Sequence, residues 1–254
     1  AHDMTAGPPW QRIMEFAVPM LLGNLAQQLY NTVDSIVVGK YVGDNALAAV
    51  GSAVPILNLL LVLFAGVATG AGIVISQNYG AGNREKLSES IGNCITLAAI
   101  ASAITTVVGV AITMPMLRLM ETPASIIDWS GGYLRILFWG MAGCAFYNML
   151  SGVLRGMGDS VSALAFLLLS TALNTGLDVW FVAGFHMGVS GVALATVLAQ
   201  GISAVLCFWK LLRMRDVFDF SPATLRLRRD SALRIVRIGV PSGITQAVMS
   251  LAML

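Results

Sequence analysis

The chain has 254 residues, of which 57% are hydrophobic and 11% are charged, and its formal net charge is only +2. Because an ordinary soluble domain carries about 25% charged residues, this composition excludes a soluble globular protein. It predicts an all-α integral membrane protein in contact with the lipid bilayer, and it gives no indication of a nucleic-acid partner.

Six long segments with few charged residues predict six transmembrane helices. A bilayer span requires about 20 predominantly apolar residues, and short turns rich in Gly, Asn and Asp separate the segments. The predicted spans lie at 12–39, 47–76, 89–114, 126–153, 161–184 and 188–210. Together they form a six-helix bundle, an amino-terminal lobe over residues 1–210.

An Arg-rich segment follows the sixth span. Residues 211–235 carry too many charges to cross a membrane and are too long for a turn, so they predict a cytoplasmic linker. Its Leu225, Leu227 and Leu233 could rest on the membrane surface. A seventh helix is predicted to start within 236–254.

The basic residues predict the orientation of the chain. With these span boundaries, twelve of the 15 Lys and Arg residues fall on the side of the N-terminus. The positive-inside rule therefore predicts a multi-pass protein of the cell membrane with a cytoplasmic N-terminus.

The segment that enters the seventh helix resembles the start of the first. Arg12-Ile-Met-Glu-Phe-Ala-Val-Pro19 aligns with Arg234-Ile-Val-Arg-Ile-Gly-Val-Pro241 at a constant offset of 222 residues. Many secondary transporters contain repeats of about six spans. We therefore expect a first lobe whose partner is a carboxy-terminal lobe beyond Leu254, and the alternative is a chance match of four residues.

Polar side chains follow single faces of several predicted spans. In the first span Asn24, Gln27, Asn31 and Asp34 recur at steps of three and four residues, which places them on one helical face. The later spans contribute Asn148, Ser151, Arg155, Ser170, Asn174, Asp178, Thr196, Gln200 and Ser203. A polar face at membrane depth must contact protein or water. We therefore expect these faces to line the inside of the bundle, with Asn24, Gln27, Asn31, Asn148 and Gln200 as candidate cavity residues.

Four polar residues are predicted to lie in one layer of the outer half of the membrane, on the basis of a rise of about 1.5 Å per residue. They are Asp34, Asn174, Asp178 and Thr196. An ionised Asp at the centre of a membrane helix costs about 2.5–3.5 kcal/mol on insertion scales, so it needs a partner, a cavity or a bound cation. Two carboxylates, an amide and a hydroxyl suit a hard cation, and the layer could bind Na⁺, a proton or each in turn. The alternative is that Asp34 caps a helix and Asn174 makes an interhelical hydrogen bond.

Ordered motifs along the whole chain closely resemble the multidrug and toxic compound extrusion (MATE) transporters, particularly their DinF-like branch. These motifs are Asn31-Thr-Val-Asp34, Ile75-Ser-Gln-Asn-Tyr-Gly-Ala-Gly82, Arg155-Gly-Met-Gly-Asp159, Asn174-Thr-Gly-Leu-Asp178 and Gly188-Val-Ser-Gly-Val-Ala-Leu-Ala-Thr196. The resemblance implies a twelve-span fold of two lobes that exports cationic or amphipathic compounds in exchange for H⁺ or Na⁺.

The resemblance also implies roles for individual residues. The family's amino-lobe cation site matches Asp34, Asn174, Asp178 and Thr196, and a first-span Pro that bends near that site matches Pro19. No cofactor is implied other than the coupling ion.

Other features have ordinary structural interpretations. Gly66-Val-Ala-Thr-Gly70 predicts a close-packed helix seam. Arg155 and Asp159 are expected to pair or to cap a helix rather than to bind substrate. The sequence contains no Walker loop, nucleophile elbow or zinc motif, so no enzyme is predicted. Two alternatives remain: a lipid-linked precursor or polysaccharide flippase of the same superfamily, and a non-transporting half-size membrane subunit.

Overall fold

The computed structural model describes residues 9–221 and 224–252. Within these ranges it describes every side chain except those at positions 9, 12, 16, 30, 31, 33, 34, 59, 60, 63, 247 and 249–252. The regular structure in these ranges is entirely helical. The helices are α1 (Pro9–Tyr41), α2 (Asp44–Gly80), α3 (Arg84–Leu119), α4 (Ile127–Trp139), α5 (Met141–Gly156), α6 (Ser160–Val179), α7 (Gly188–Leu212) and α8 (Arg229–Ala252), with a π-helical turn at Trp180–Gly184.

Several of these helices have the length and composition of membrane spans. Within the described parts of the chain, α3, α7 and the segment Ser160–Gly184 are long and apolar enough to cross a bilayer, and so are α4 and α5 if the two are counted as one bent span. At 33 and 37 residues, α1 and α2 also exceed the length that a span requires. The prediction of an all-α membrane protein is confirmed.

The fourth predicted span, 126–153, is not one continuous helix. It is divided into α4 and α5, whose axes differ by 51°. The break lies at Gly140, where a Cβ atom would overlap the Val197 side chain of α7. The Thr106 hydroxyl of α3 donates a 2.8 Å hydrogen bond to the Phe138 carbonyl, which satisfies a backbone group at the break. Neighbouring helices therefore stabilise a bend that the apolar sequence does not reveal.

The fifth predicted span, 161–184, ends in a π-helical turn. The α-helical part of α6 stops at Val179, and Phe185 N–H donates to the Trp180 carbonyl at 3.1 Å, five residues back. The rings of Trp180, Phe181 and Phe185 pack together, with centroids 5.4 to 6.4 Å apart. An aromatic cluster at a helix end is typical of the membrane interface.

The connection after α7 is shorter than predicted and is folded against the protein. It comprises residues 213–228 rather than 211–235, because α8 already begins at Arg229. The Thr96 hydroxyl of α3 donates to the Leu225 carbonyl at 2.7 Å, and Asn93 Oδ1 accepts from the Arg228 N–H at 2.8 Å. The Phe218 side chain is completely buried.

An exposed ion pair also joins the connection to the start of α3. Arg84 contacts the Asp219 carboxylate through two nitrogen atoms, at 2.8 and 3.0 Å. Its guanidinium holds the pKa of Asp219 below the usual range. Because both side chains are exposed, the pair contributes little stability. Leu227 and Leu233 are exposed, but the described residues Asp219, Leu225 and Arg228 of the connection form hydrogen bonds with α3.

The packing places α5 at the centre of the bundle, against α2, α3 and α7. Helix α1 packs mainly on α6 and makes few contacts with α2, whereas α8 makes its most extensive contact with α2. Two apolar clusters form the core, one around Leu134 and Phe138 and the other around Ile75 and Leu150. Helices α1 and α2 therefore leave a gap between them along most of their length.

A glycine seam, formed by Gly66 and Gly70 of α2 and Gly239 and Gly243 of α8, joins these two helices. A Cβ atom on Gly70 would lie 2.5 Å from the Ile235 carbonyl oxygen, and one on Gly239 would lie 2.7 Å from the Val67 Cα. Such contacts with backbone atoms leave no room for a side chain. Close backbone approach at small residues is a common basis of helix association in membranes.

Candidate functional site

A buried polar cluster lies between α6 and α7. Asn174 and Asp178 are one helical turn apart on α6, with 1% and 0% of their surfaces exposed. Thr196 faces them from α7. The sequence prediction had placed these three residues in one layer, and they lie together in the structure.

Hydrogen bonds connect the three side chains. The Asn174 amide oxygen accepts from the Thr196 hydroxyl at 3.2 Å and from its backbone N–H at 3.3 Å, while the amide nitrogen donates to Asp178 Oδ2 at 3.1 Å. This orientation of the amide follows from its partners, because the opposite one would point the amide oxygen at the carboxylate. Asn174 thus links the acidic group of α6 to the first half of α7.

The cluster can hold a proton or a small cation. Burial removes a carboxylate from water and makes its charged form costly, and a bound proton or cation offsets that cost. Asp178, Asn174 and Thr196 supply oxygen atoms of three chemical types, which suit a hard cation. Within the described residues, no group of three or more His, Cys, Asp or Glu side chains could hold a metal ion.

Two predicted members of the site lie outside the described side chains. They are Asp34 and Asn31, which belong to α1. Because α1 packs mainly on α6, the helix that carries them lies beside the helix that carries Asp178. Their participation in the site stays a prediction.

One further buried hydroxyl, that of Ser203, lies along α7 beyond the cluster. Ser203 lies two turns after Thr196, is completely buried, and its Oγ has no hydrogen-bond partner among the described residues. Gln200 lies between them along the chain and is partly exposed. Ser203 was part of the polar stripe recognised in the sequence. Its spacing did not predict that its hydroxyl would be buried without a hydrogen-bond partner among the described residues.

A large cavity lies in the gap between α1 and α2, with α5 and α6 behind it. Its volume is about 910 Å³, and its lining includes the predicted residues Pro19, Asn24, Gln27 and Asn148. Gln200 is not among the described residues that line it. Pro19 lies within α1, which continues through it as one helix.

Of the two roles expected for Arg155 and Asp159, helix capping is found and mutual pairing is not, because Asp159 caps α6 and pairs with Lys210. Arg155 instead lines the cavity, together with Tyr147 and Ser151 of the same helix face. Asp159 caps α6 by accepting from the Ser162 N–H at 3.0 Å and hydroxyl at 2.9 Å, and it pairs with Lys210 at 3.4 Å. The stripe of Asn148, Ser151 and Arg155 was visible in the sequence, but the partner of Asp159 on α7 was not.

The environment of Asp159 shifts its titration. Burial raises the pKa of this carboxyl, but the hydrogen bonds from Ser162 and the charge of Lys210 outweigh that effect, so the pKa lies below its ordinary value. A depressed carboxyl pKa contributes stability above the unfolded-state pKa, and this stability is lost as the pH falls through the folded-state value. The cap is therefore fully formed at neutral pH.

Comparison with known proteins identifies a consistent group of relatives. The sequence profile of the MatE family matches residues 19–180. The chain is 32% identical over 250 residues to the probable multidrug resistance protein YoeA of Bacillus subtilis, covering 96% of this chain and 54% of YoeA. It is 29% identical to the DNA damage-inducible protein F of Escherichia coli, covering 81% of this chain and 45% of that protein. The chain thus spans about half the length of the curated relatives it matches.

Solved structures show the same relationship. The outward-facing conformation of a multidrug resistance MATE family transporter matches 98% of this chain and 55% of its own length, with a TM-score of 0.92 and 29% identity. The inward-facing conformation of such a transporter matches 89% of this chain and 52% of its own length, with a TM-score of 0.83 and 30% identity. The fold described above is therefore one lobe of such a two-lobe structure, with the start of a seventh helix.

Proposed function

Because this chain belongs to the MATE family of multidrug transporters, we propose that it forms the amino-terminal lobe of a secondary antiporter. This antiporter exports cationic or amphipathic compounds in exchange for H⁺ or Na⁺. The observation that carries the proposal is the buried cluster of Asp178, Asn174 and Thr196. Ionisable residues are rare and costly inside membrane helices, so such a residue indicates a function.

The cluster provides a physical route to coupling. An ion can drive a conformational change only if it binds one conformation more tightly than the other. The cluster spans two helices, so a proton or Na⁺ at Asp178 changes the interaction between α6 and α7. In the complete protein, Asp34 is the fourth member of this site. When the ion binds, α1 bends at Pro19.

We assign the arrangement of this lobe to the outward-facing state. It matches the outward-facing transporter more closely and over more of its length than the inward-facing one. The contact of α2 with α8 supports this assignment, because the glycine seam joins these helices in the half of α2 that the basic residues predict to be nearer the cytoplasm.

Transport in vesicles tests the proposal. We expect the complete transporter, reconstituted into proteoliposomes, to move the cationic dye ethidium when a pH gradient or a Na⁺ gradient is imposed. Movement should stop when an ionophore removes the effective gradient, and the 254-residue chain alone should not transport. Dye movement that responds to neither gradient would exclude the antiporter, and transport by this chain alone would instead support a half-size transporter.

The orientation of the chain is tested by cysteine labelling. Arg226 lies in the connection after α7 and Ser125 in the turn before α4, and both are exposed. We expect Arg226→Cys to react with an impermeant maleimide only after permeabilisation and Ser125→Cys to react in intact cells, because the basic side should be cytoplasmic. The native Cys94, Cys144 and Cys207 are buried and give a low background. The reverse pattern would invert the proposed topology.

A further inference from the structure

The cavity between α1 and α2 has a cationic side chain and no described acidic one in its lining. Arg155 is partly buried in the last turn of α5. Among the described residues its guanidinium makes no ion pair and no hydrogen bond, and the nearby Asp159 is already engaged by Lys210 and Ser162. The cavity therefore carries one positive charge that the described protein groups do not neutralise.

A partly buried guanidinium favours an anionic partner. Arg keeps its charge in any protein environment, and a cation removed from water without a counter-charge is unfavourable. Its planar donors match the two oxygen atoms of a carboxylate or phosphate. Tyr147, Asn148 and Ser151 add polar groups to the lining on the same helix, so an acidic group near Arg155 would find further hydrogen-bonding partners.

The rest of the lining suits an apolar body. Met20, Ile73, Ala163, Leu164 and Leu167 contribute apolar surface. From Tyr147 to Arg155 the cavity wall extends for about 12 Å along α5, given the rise of a helix. The cavity thus has a cationic end, a polar α5 face about 12 Å long and apolar side chains from α1, α2 and α6, which together are the complement of an amphiphilic acid.

We propose that this cavity binds an amphiphile through its carboxylate or phosphate group, with Arg155 as the counter-ion and the apolar body against the side chains of α1, α2 and α6. This site goes beyond the proposed antiport because it does not involve Asp178. A fatty-acid-like solute and an anionic phospholipid share the required chemistry, and the experiment below distinguishes them.

Binding of a fluorescent fatty acid tests the site. The complete transporter, in nanodiscs of phosphatidylcholine, is titrated with cis-parinaric acid, and energy transfer from tryptophan reports binding. The methyl ester of cis-parinaric acid serves as the uncharged probe. We expect the acid to bind roughly tenfold or more tightly than the ester, since a hydrogen-bonded charge pair typically contributes that much affinity. This comparison uses the unmodified protein and does not depend on the folding of a variant.

Variants assign the effect to Arg155. Arg155→Gln should weaken binding of the acid roughly tenfold and leave the ester unchanged, whereas Arg155→Lys should retain part of the preference. Lys86→Gln, which removes an exposed charge at the start of α3, should change neither. Asp178→Asn should also leave binding of the acid unchanged. A loss of antiport and a loss of acid binding are therefore separate results.

The remaining outcomes are equally distinct. Displacement of the acid by added phosphatidylglycerol supports the site and shows that lipid reaches it, while no displacement supports the site for soluble amphiphiles. Equal binding of acid and ester, or unchanged acid binding by Arg155→Gln, would overturn the proposal and would mean that Arg155 is neutralised by another part of the transporter.

Discussion

Replacement of Asp178 by Asn is expected to reduce ion-driven export by the complete transporter on the order of a hundredfold or more. The change keeps the size of the side chain and its capacity for hydrogen bonds with Asn174, but it removes the negative charge that a proton or Na⁺ requires. Loss of a buried charged partner costs about 3–5 kcal/mol, and each 1.4 kcal/mol corresponds to about a factor of ten in binding. The ion would therefore no longer favour one conformation over the other.

Dye efflux from proteoliposomes under an imposed ion gradient measures this effect. Asp44→Asn is the matched control. It makes the same chemical change at an exposed carboxyl in the first turn of α2, away from the cluster. Both variants should insert and purify like the wild type. Full gradient-driven efflux by Asp178→Asn would show that the cluster is structural and that coupling resides in the other lobe.

Replacement of Gly70 by Val is expected to have the largest effect on stability. A Cβ atom at this position would lie 2.5 Å from the Ile235 carbonyl oxygen and 2.6 Å from the Gly239 nitrogen. Because these are backbone atoms, α2 and α8 must move apart, and overpacking of this kind typically costs about 1–3 kcal/mol or more. We expect the melting temperature in detergent to fall by about 5 °C or more.

Gly51 of the same helix provides the control. A Cβ atom there meets nothing within 4 Å, so Gly51→Val changes the helix without a clash. Its melting temperature should stay within about 2 °C of the wild type, since helix propensities differ by less than about 1 kcal/mol. Equal melting temperatures for the two variants would show that the glycine seam does not hold α8 against α2.

Much of the candidate site could be predicted from residue spacing. Asn174 and Asp178 share a helix face because they are four residues apart, and a carboxylate in an apolar span demands a partner. The pairing of Asn174 with Thr196 required an estimate of depth in two helices, and that estimate works because the rise per residue is nearly constant. Spacing could not predict that Arg155 remains without an ion pair among the described residues. Asp159 pairs instead with Lys210, which lies 51 residues further along the chain on α7.

The sequence by itself determined the membrane environment, the helical class, the polar faces and the family of this protein, because hydropathy, 3.6-residue periodicity and motif order are local properties of a chain. The tertiary structure alone decided the bend at Gly140, the hydrogen bonds of Leu225 and Arg228 with α3, and the close approach of α2 and α8. Each of these depends on atoms from distant segments: Val197 at the bend, Asn93 and Thr96 under the connection, and Gly239 opposite Gly70. Steric exclusion and hydrogen bonding act only between groups that the fold has already brought together. The sequence of any single segment therefore does not predict these three features.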